Sequence, residues 1–216
     1  MNFIRIIIIL LLFPLSMIAQ QDPEAQKILD AFSKKTKSYK AYNAQFEIVY
    51  ENKQNGESTE NKGNITIMGN KYKMNINQTD IYFDGKNTYN YSSKSNEVSI
   101  SSPKKKDEES FFNNPSRLFN LYTKEFKFRL LGEIVYKSRV CYEIDLFPKD
   151  LNKKYSIIKL LIDIENLELI SAKLIMKSGV NYTLNILKFT ANIAANEKDF
   201  NFDSSKYKGI EIIDLR

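Results

Sequence analysis

The chain contains no His and no Trp, and it has a single Cys, Cys141. Without His, Ser-His-Asp and Cys-His catalysis and His-ligated metal sites are excluded, and a lone Cys cannot form an internal disulfide. Glycine is scarce, at 7 in 216 residues, and no G-x-x-x-x-G-K or G-x-G-x-x-G run occurs, which argues against the phosphate cradles of nucleotide enzymes. Charge of one sign is not in large excess, with 32 Lys plus Arg against 26 Asp plus Glu. The one basic cluster, Lys104-Lys105-Lys106, is followed at once by Asp107-Glu108-Glu109, which cancels a field that would attract nucleic acid. It reads as a solvated loop, and no nucleic-acid partner is expected. Cys141 reads as a small, buried, apolar side chain in a strand.

What remains is an ordinary globular composition, 43% hydrophobic, at a length that one core can serve. The first residues, Met1-Asn2-Phe3-Ile4-Arg5, lead into an unbroken apolar run from Ile6 to Phe13, then Pro14 and a small residue at Ala19. The run is well short of the ~20 residues that span a bilayer and has the pattern of a secretory signal cut after Ala19. No Cys follows it, so the lipid-anchoring motif is absent. The expected organisation is a signal peptide over 1–19 and a single soluble domain over 20–216.

Helical period appears first. Asp22 reads as an N-cap and Pro23 as the first helical residue, after which Ala25, Ile28, Leu29, Phe32 and Thr36 fall on one face. From Asn43 the period changes to two, with Ala44, Phe46, Ile48 and Tyr50 alternating with Gln45, Glu47, Val49 and Glu51. Breakers at Asn55-Gly56, Gly69-Asn70, Asp84-Gly85, Ser95-Asn96, Asn152-Lys153 and Ser178-Gly179 divide the rest into strand-length runs of a meander. Tyr72, Met74 and Ile76 oppose Lys71, Lys73 and Asn75; Val140, Tyr142, Ile144 and Leu146 oppose Cys141, Glu143 and Asp145. In each pair of sets one face is expected dry and the other wet. The run Leu169 to Met176 is apolar on both faces, with Leu169 and Ile175 on one and Ile170, Leu174 and Met176 on the other, so both need cover. A second short helix is expected after Asn114-Pro115-Ser116, carrying Leu118, Phe119, Leu121 and Tyr122 across the sheet.

The fold class is therefore mainly β: a long antiparallel sheet that buries one apolar face by curling around short helices. Alternation alone leaves open whether the inward side chains form a close-packed core or line a cavity. Glu143 and Asp145 sit about 7 Å apart as alternate strand residues, near the spacing of a glycosidase pair. They oppose the apolar face, however, and are expected in water rather than in a site.

The order of elements carries a resemblance. Lys37-Ser38-Tyr39-Lys40-Ala41-Tyr42-Asn43-Ala44-Gln45-Phe46, Gly63-Asn64-Ile65-Thr66-Ile67 and Asp84-Gly85-Lys86-Asn87-Thr88-Tyr89-Asn90-Tyr91 follow the leader and first helix. Asn114-Pro115-Ser116-Arg117-Leu118-Phe119, Asp145-Leu146-Phe147-Pro148-Lys149, Phe200-Asn201-Phe202 and the closing Gly209 to Arg216 complete the series. It resembles the LolA family of periplasmic lipoprotein carriers, in the version found in Bacteroidetes-type bacteria. The resemblance implies an incomplete antiparallel β-barrel with helices as a lid over a hydrophobic cavity, which shelters lipoprotein acyl chains between the inner and outer membranes. Carried over by position, Leu29 and Phe32 of the first helix, Ile65, Ile67, Tyr72, Met74, Ile76, Tyr142 and Ile144 of the sheet, and Leu118, Phe119 and Tyr122 of the lid would line the cavity. The implied partners are lipidated lipoproteins, an inner-membrane lipoprotein-releasing transporter complex and an outer-membrane acceptor. The protein would act as a monomer, without cofactor and without catalysis. Where well-studied members place an Arg that latches the lid, this chain has Met68-Gly69-Asn70 before Lys71. A lipid-sensing or lipoprotein-sensing module on the same scaffold is the alternative reading.

Overall fold

The computed structural model describes residues 22–102 and 125–216. Helix α1 (Pro23–Ser38) opens the chain, and the two α1 signals read from sequence are both used: Asp22 caps the helix and Pro23 begins it. Six strands follow as a meander, β1 (Tyr42–Asn52), β2 (Ser58–Met68), β3 (Lys71–Ile76), β4 (Thr79–Phe83), β5 (Thr88–Ser92) and β6 (Glu97–Ser101). A second meander comprises β7 (Phe126–Tyr136), β8 (Arg139–Pro148), β9 (Tyr155–Asp163), β10 (Leu169–Met176) and β11 (Val180–Ala191). Two 3-10 turns, Glu197–Phe200 and Ser204–Lys206, then lead to β12 (Glu211–Asp214).

The two meanders join through β1 and β11, giving one 12-stranded sheet in the order β12-β6-β5-β4-β3-β2-β1-β11-β10-β9-β8-β7. The sheet is strongly curved and open, an incomplete barrel with α1 on its concave side. All pairings are antiparallel except the last, because β12 runs parallel to β6. The antiparallel sheet expected from sequence thus carries one parallel pair, at its edge. Residues 192–210 form a connection long enough to carry the chain back over the sheet, which a parallel addition requires.

Asp22 ties the helix to the far edge of the sheet. Its Oδ1 accepts from the N–H groups of Glu24 (3.0 Å) and Ala25 (3.1 Å), and its Oδ2 accepts from Leu130 N–H on β7 (2.9 Å). Burial pushes this carboxyl up, but the N–H groups of Ala25, Leu130 and Glu24 together outweigh burial and hold it below its ordinary value. A lowered folded pKa stabilises the fold above the unfolded value, and that contribution is lost as pH falls through the folded value. Asp22→Ala is therefore expected to lower stability by about 1–2 kcal/mol in urea titrations at neutral pH. The gap between the two proteins should narrow as pH is lowered through the carboxylate range; a gap independent of pH would remove the charge from this account.

Two sequence expectations change in the second meander. An irregularity between Leu169 and Ser171 makes Ile170 an extra residue in β10. Leu169 therefore joins Leu174 in the core instead of facing away from it, while Ile170 is also buried. The opposite face of β10 and β11 is covered too: Ser171 and Asn185 are buried, and Asn185 Oδ1 accepts from Ser171 Oγ (3.0 Å) and Tyr136 Oη (3.1 Å). On β8 Cys141 is fully buried, as its apolar character led one to expect, but the rest of the expected wet face is not wet, since Asp145 is 4% exposed, whereas Val140 of the dry set is 49% exposed. Asp145 lies between Arg129 of β7 and Lys159 of β9 in register, and such long basic side chains cover a short carboxylate. The helix expected after Asn114 and the loop Lys104 to Glu109 lie outside the described residues, as does the leader at 1–19.

Candidate functional site

The concave face carries one contiguous apolar cluster. Ala25, Ile28, Leu29 and Phe32 descend from α1, and the spacing of these positions places them on a single stripe. They meet Ala44 and Phe46 of β1, Ile65 and Ile67 of β2, Tyr72 and Met74 of β3, and the inward residues of β7 to β10. The alternation read from sequence is the cause: each contributing strand turns every second side chain toward the helix. On β3 the inward set is buried at Tyr72 and Met74, while Lys73 and Asn75 are exposed.

Of the residues named from sequence, Leu29, Phe32, Ile65, Ile67, Tyr72, Met74 and Ile144 are buried together in this cluster. Ile76 and Tyr142 pack at its margin, partly buried. Leu118, Phe119 and Tyr122 lie outside the described residues. The sequence reading left β11 out of the lining. Tyr182, Leu184, Ile186 and Phe189 all pack against the cluster, opposite Tyr50, Ile48, Phe46 and Ala44 of β1. Alternation at Tyr182, Leu184 and Ile186 was the available signal. A bulge at Leu187, where the β1–β11 register shifts, interrupts it before Phe189.

Cover is uneven along the face. α1 leans toward the β9–β10 turn, where Lys35 Nζ donates to the Asn166 carbonyl oxygen, and the side chains beneath it are fully enclosed. Toward the β1–β2 turn, burial declines from Phe46 to the half-buried Ile48 and Tyr50, with half-buried Leu184, Tyr182 and Met176 beside them. The Tyr50 and Tyr182 rings meet edge to face at 5.5 Å. The site thus has a packed floor and a more open margin.

Its lining is made of aliphatic and aromatic side chains. Burial pushes the Tyr72 hydroxyl up to about 12, despite a hydrogen bond with Thr88, so it stays neutral at physiological pH. The carboxylates that suggested a glycosidase pair lie on the other face, bound to one cation: Lys159 Nζ is 2.9 Å from Asp145 and 3.8 Å from Glu143. Among the described residues no group of three or more Cys, Asp or Glu side chains is placed to hold a metal ion, and no helix is long and apolar enough to cross a membrane.

The convex side of β3 to β6 is clasped by the C-terminal segment. Phe202 packs among Tyr82, Tyr89, Tyr91 and Tyr207 at centroid distances of 5.2 to 6.0 Å, and Phe200 is fully buried. Lys71, which follows the Met68-Gly69-Asn70 found where the resemblance leads one to expect a latching Arg, forms an ion pair with Glu197 of this segment.

Comparison with curated proteins returns no match. Among solved structures, an uncharacterized conserved protein from Thermus thermophilus superposes with a TM-score of 0.59 at 13% identity, over 88% of this chain and 99% of that one. The Mycobacterium tuberculosis lipoprotein LppX gives 0.50 at 13% identity, over 81% and 98%. A putative outer membrane lipoprotein-sorting protein domain from Vibrio parahaemolyticus gives 0.46 at 13% identity, over 83% and 97%. At these identities the first two show a shared curved-sheet fold. Sequence carries the relationship further: the profile of the family described as outer membrane lipoprotein carrier protein LolA matches residues 15–180, from ahead of α1 to the start of β11, and the chain belongs to that family.

Proposed function

We propose that this protein is a periplasmic carrier that shelters lipoprotein acyl chains on its concave face and passes lipoproteins from the inner to the outer membrane. The observation that carries the reading is the gradient on that face, from side chains enclosed under α1 to the half-buried Ile48, Tyr50, Met176, Tyr182 and Leu184. Five large apolar side chains left only part-buried along one margin fit a groove that an acyl chain can enter. The proposal includes export, for which the apolar run from Ile6 to Phe13 is the support.

Energetics require partial shelter. At ~0.8 kcal/mol per buried methylene, complete burial of three long acyl chains would release tens of kcal/mol, beyond the ceiling of about 21 kcal/mol for noncovalent binding. A carrier of that affinity would never unload. Chains held along the half-buried margin, with the rest of each chain exposed or against a partner, give a complex that can both form and dissociate. No step of covalent chemistry is involved.

Native mass spectrometry of protein recovered from the periplasm tests the reading. The expected result is a mature chain beginning at Gln20 with bound acylated lipoprotein, released by detergent. Protein that retains Met1 and stays in the cytoplasm, or that carries no acylated species under conditions that preserve such complexes, would overturn it.

A further inference from the structure

Three turns gather at the end of the sheet that α1 does not cover: residues 53–57 between β1 and β2, 149–154 between β8 and β9, and 177–179 between β10 and β11. They are cross-linked to one another. Lys53 N–H donates to the Gly179 carbonyl (3.2 Å), Gln54 Nε2 to the Ser178 carbonyl (3.3 Å) and Lys177 N–H to the Lys154 carbonyl (2.9 Å). Lys177 Nζ donates to the Leu151 carbonyl oxygen, and Asp150 Oδ1 accepts from Asn152 N–H (2.9 Å), so the 149–154 turn has a defined shape.

These turns carry Lys53, Lys149, Lys153, Lys154 and Lys177 against Glu57 and Asp150. From their midst Leu151 projects, 80% exposed, more than any other large apolar side chain recorded as exposed among the described residues. Nothing in packing explains a leucine there. A turn apex is a position where a polar residue would meet no penalty, and the exposed side chain makes no contribution to the core.

We propose that this end of the protein docks on an anionic lipid bilayer, with Leu151 entering the interface and the surrounding lysines contacting acidic headgroups. A single apolar tip inside a collar of ammonium groups matches a surface that is charged at its face and apolar just below. It does not match a folded acidic partner as well, since such a partner needs a recessed pocket to receive the leucine. The half-buried Tyr50, Met176 and Tyr182 open toward the same end, so docking would set the margin of the concave face against the membrane. The proposal concerns the empty protein and stands or falls apart from the carrier reading.

The test is co-sedimentation of the cargo-free mature chain with vesicles of pure phosphatidylcholine and with vesicles containing phosphatidylglycerol. Binding is expected only to the anionic vesicles, and it should weaken with added salt. Each Lys→Gln change at 53 and 154 should reduce the apparent affinity by roughly fivefold, and Leu151→Asp should remove most of it. All three positions are in exposed turns and their side chains hold none of the turn hydrogen bonds named above, so melting curves should be unchanged. Val135, 74% exposed near the β7–β8 turn at the opposite end, serves as the control, and Val135→Asp should bind as the natural chain does. The proposal is overturned by absence of anionic-vesicle binding, by equal binding to neutral vesicles, by equal loss in the two Asp variants, or by capture on polyglutamate without capture on vesicles.

Discussion

Met74→Glu protein is expected to fold and to lose nearly all capture of acylated lipoprotein at neutral pH. Met74 is 8% exposed on β3, between Ile65 of β2 and Ile81 of β4 in register, and it points into the cluster under α1. An ionised carboxylate there lacks a partner and costs several kcal/mol, so the group escapes by protonation or by turning toward the open margin. At neutral pH the ionised group turned to the margin sets a charge against the acyl chain, whereas the protonated group does not. Because burial raises the pKa of such a group, capture should recover as pH is lowered and the neutral form takes over, a signature that general unfolding would not give. Met74→Leu, of similar volume, should capture normally. If folded Met74→Glu loaded cargo as well as the natural protein at neutral pH, the acyl chains would lie elsewhere and the concave face would be only a core.

The second large effect is expected at Gly63. A Cβ built there would sit 2.5 Å from Phe46 Cζ and 2.6 Å from the Asn75 carbonyl oxygen. The ring can turn, but the carbonyl belongs to the neighbouring strand β3 and cannot move without breaking the ladder. Glycine is used here for space, so that the Phe46 ring can lie flat across β2 within the apolar cluster. Gly63→Ala should cost about 1–3 kcal/mol, the range for overpacking a filled site, and Gly63→Val more. Chemical denaturation measures this as a lower midpoint at unchanged slope. An unaltered midpoint for Gly63→Ala would show that Phe46 does not occupy that position.

The general form of this fold was legible because period-two alternation is a local property. Tyr72, Met74 and Ile76, or Ala44, Phe46 and Ile48, declare their inward face without reference to any partner. Asp22 and Pro23 likewise declare a helix start. What alternation cannot carry is a change of phase. The extra residue at Ile170 moves Leu169 to the core side, and the bulge at Leu187 does the same for Phe189, so faces read by counting are displaced there. Burial by long neighbours is equally invisible, since Asp145 becomes enclosed only when β7 and β9 bring Arg129 and Lys159 alongside. The aromatic clasp of Phe202 with Tyr82, Tyr89 and Tyr91 joins segments more than 100 residues apart, and no pattern within either segment announces the other. For the lining, the positions on α1, β2 and β3 were within reach of sequence, while β11 required knowing that it pairs with β1.

That pairing constrains how the protein is made. Tyr42 lies opposite Ala191, so the first strand synthesised pairs early with β2 but waits for almost the whole chain before its second neighbour, β11, exists. Contacts of such long sequence separation form slowly, because the intervening loop must close before any energy is returned. During synthesis, β1 to β6 therefore emerge with their apolar face uncovered on one side and an unsatisfied strand edge at β1. This intermediate is sticky, and its lifetime is set by the rate at which residues 180–191 arrive. A newly made chain consequently needs either rapid completion or a holding chaperone, and shortening the chain before residue 180 should convert it from a folded product into an aggregate.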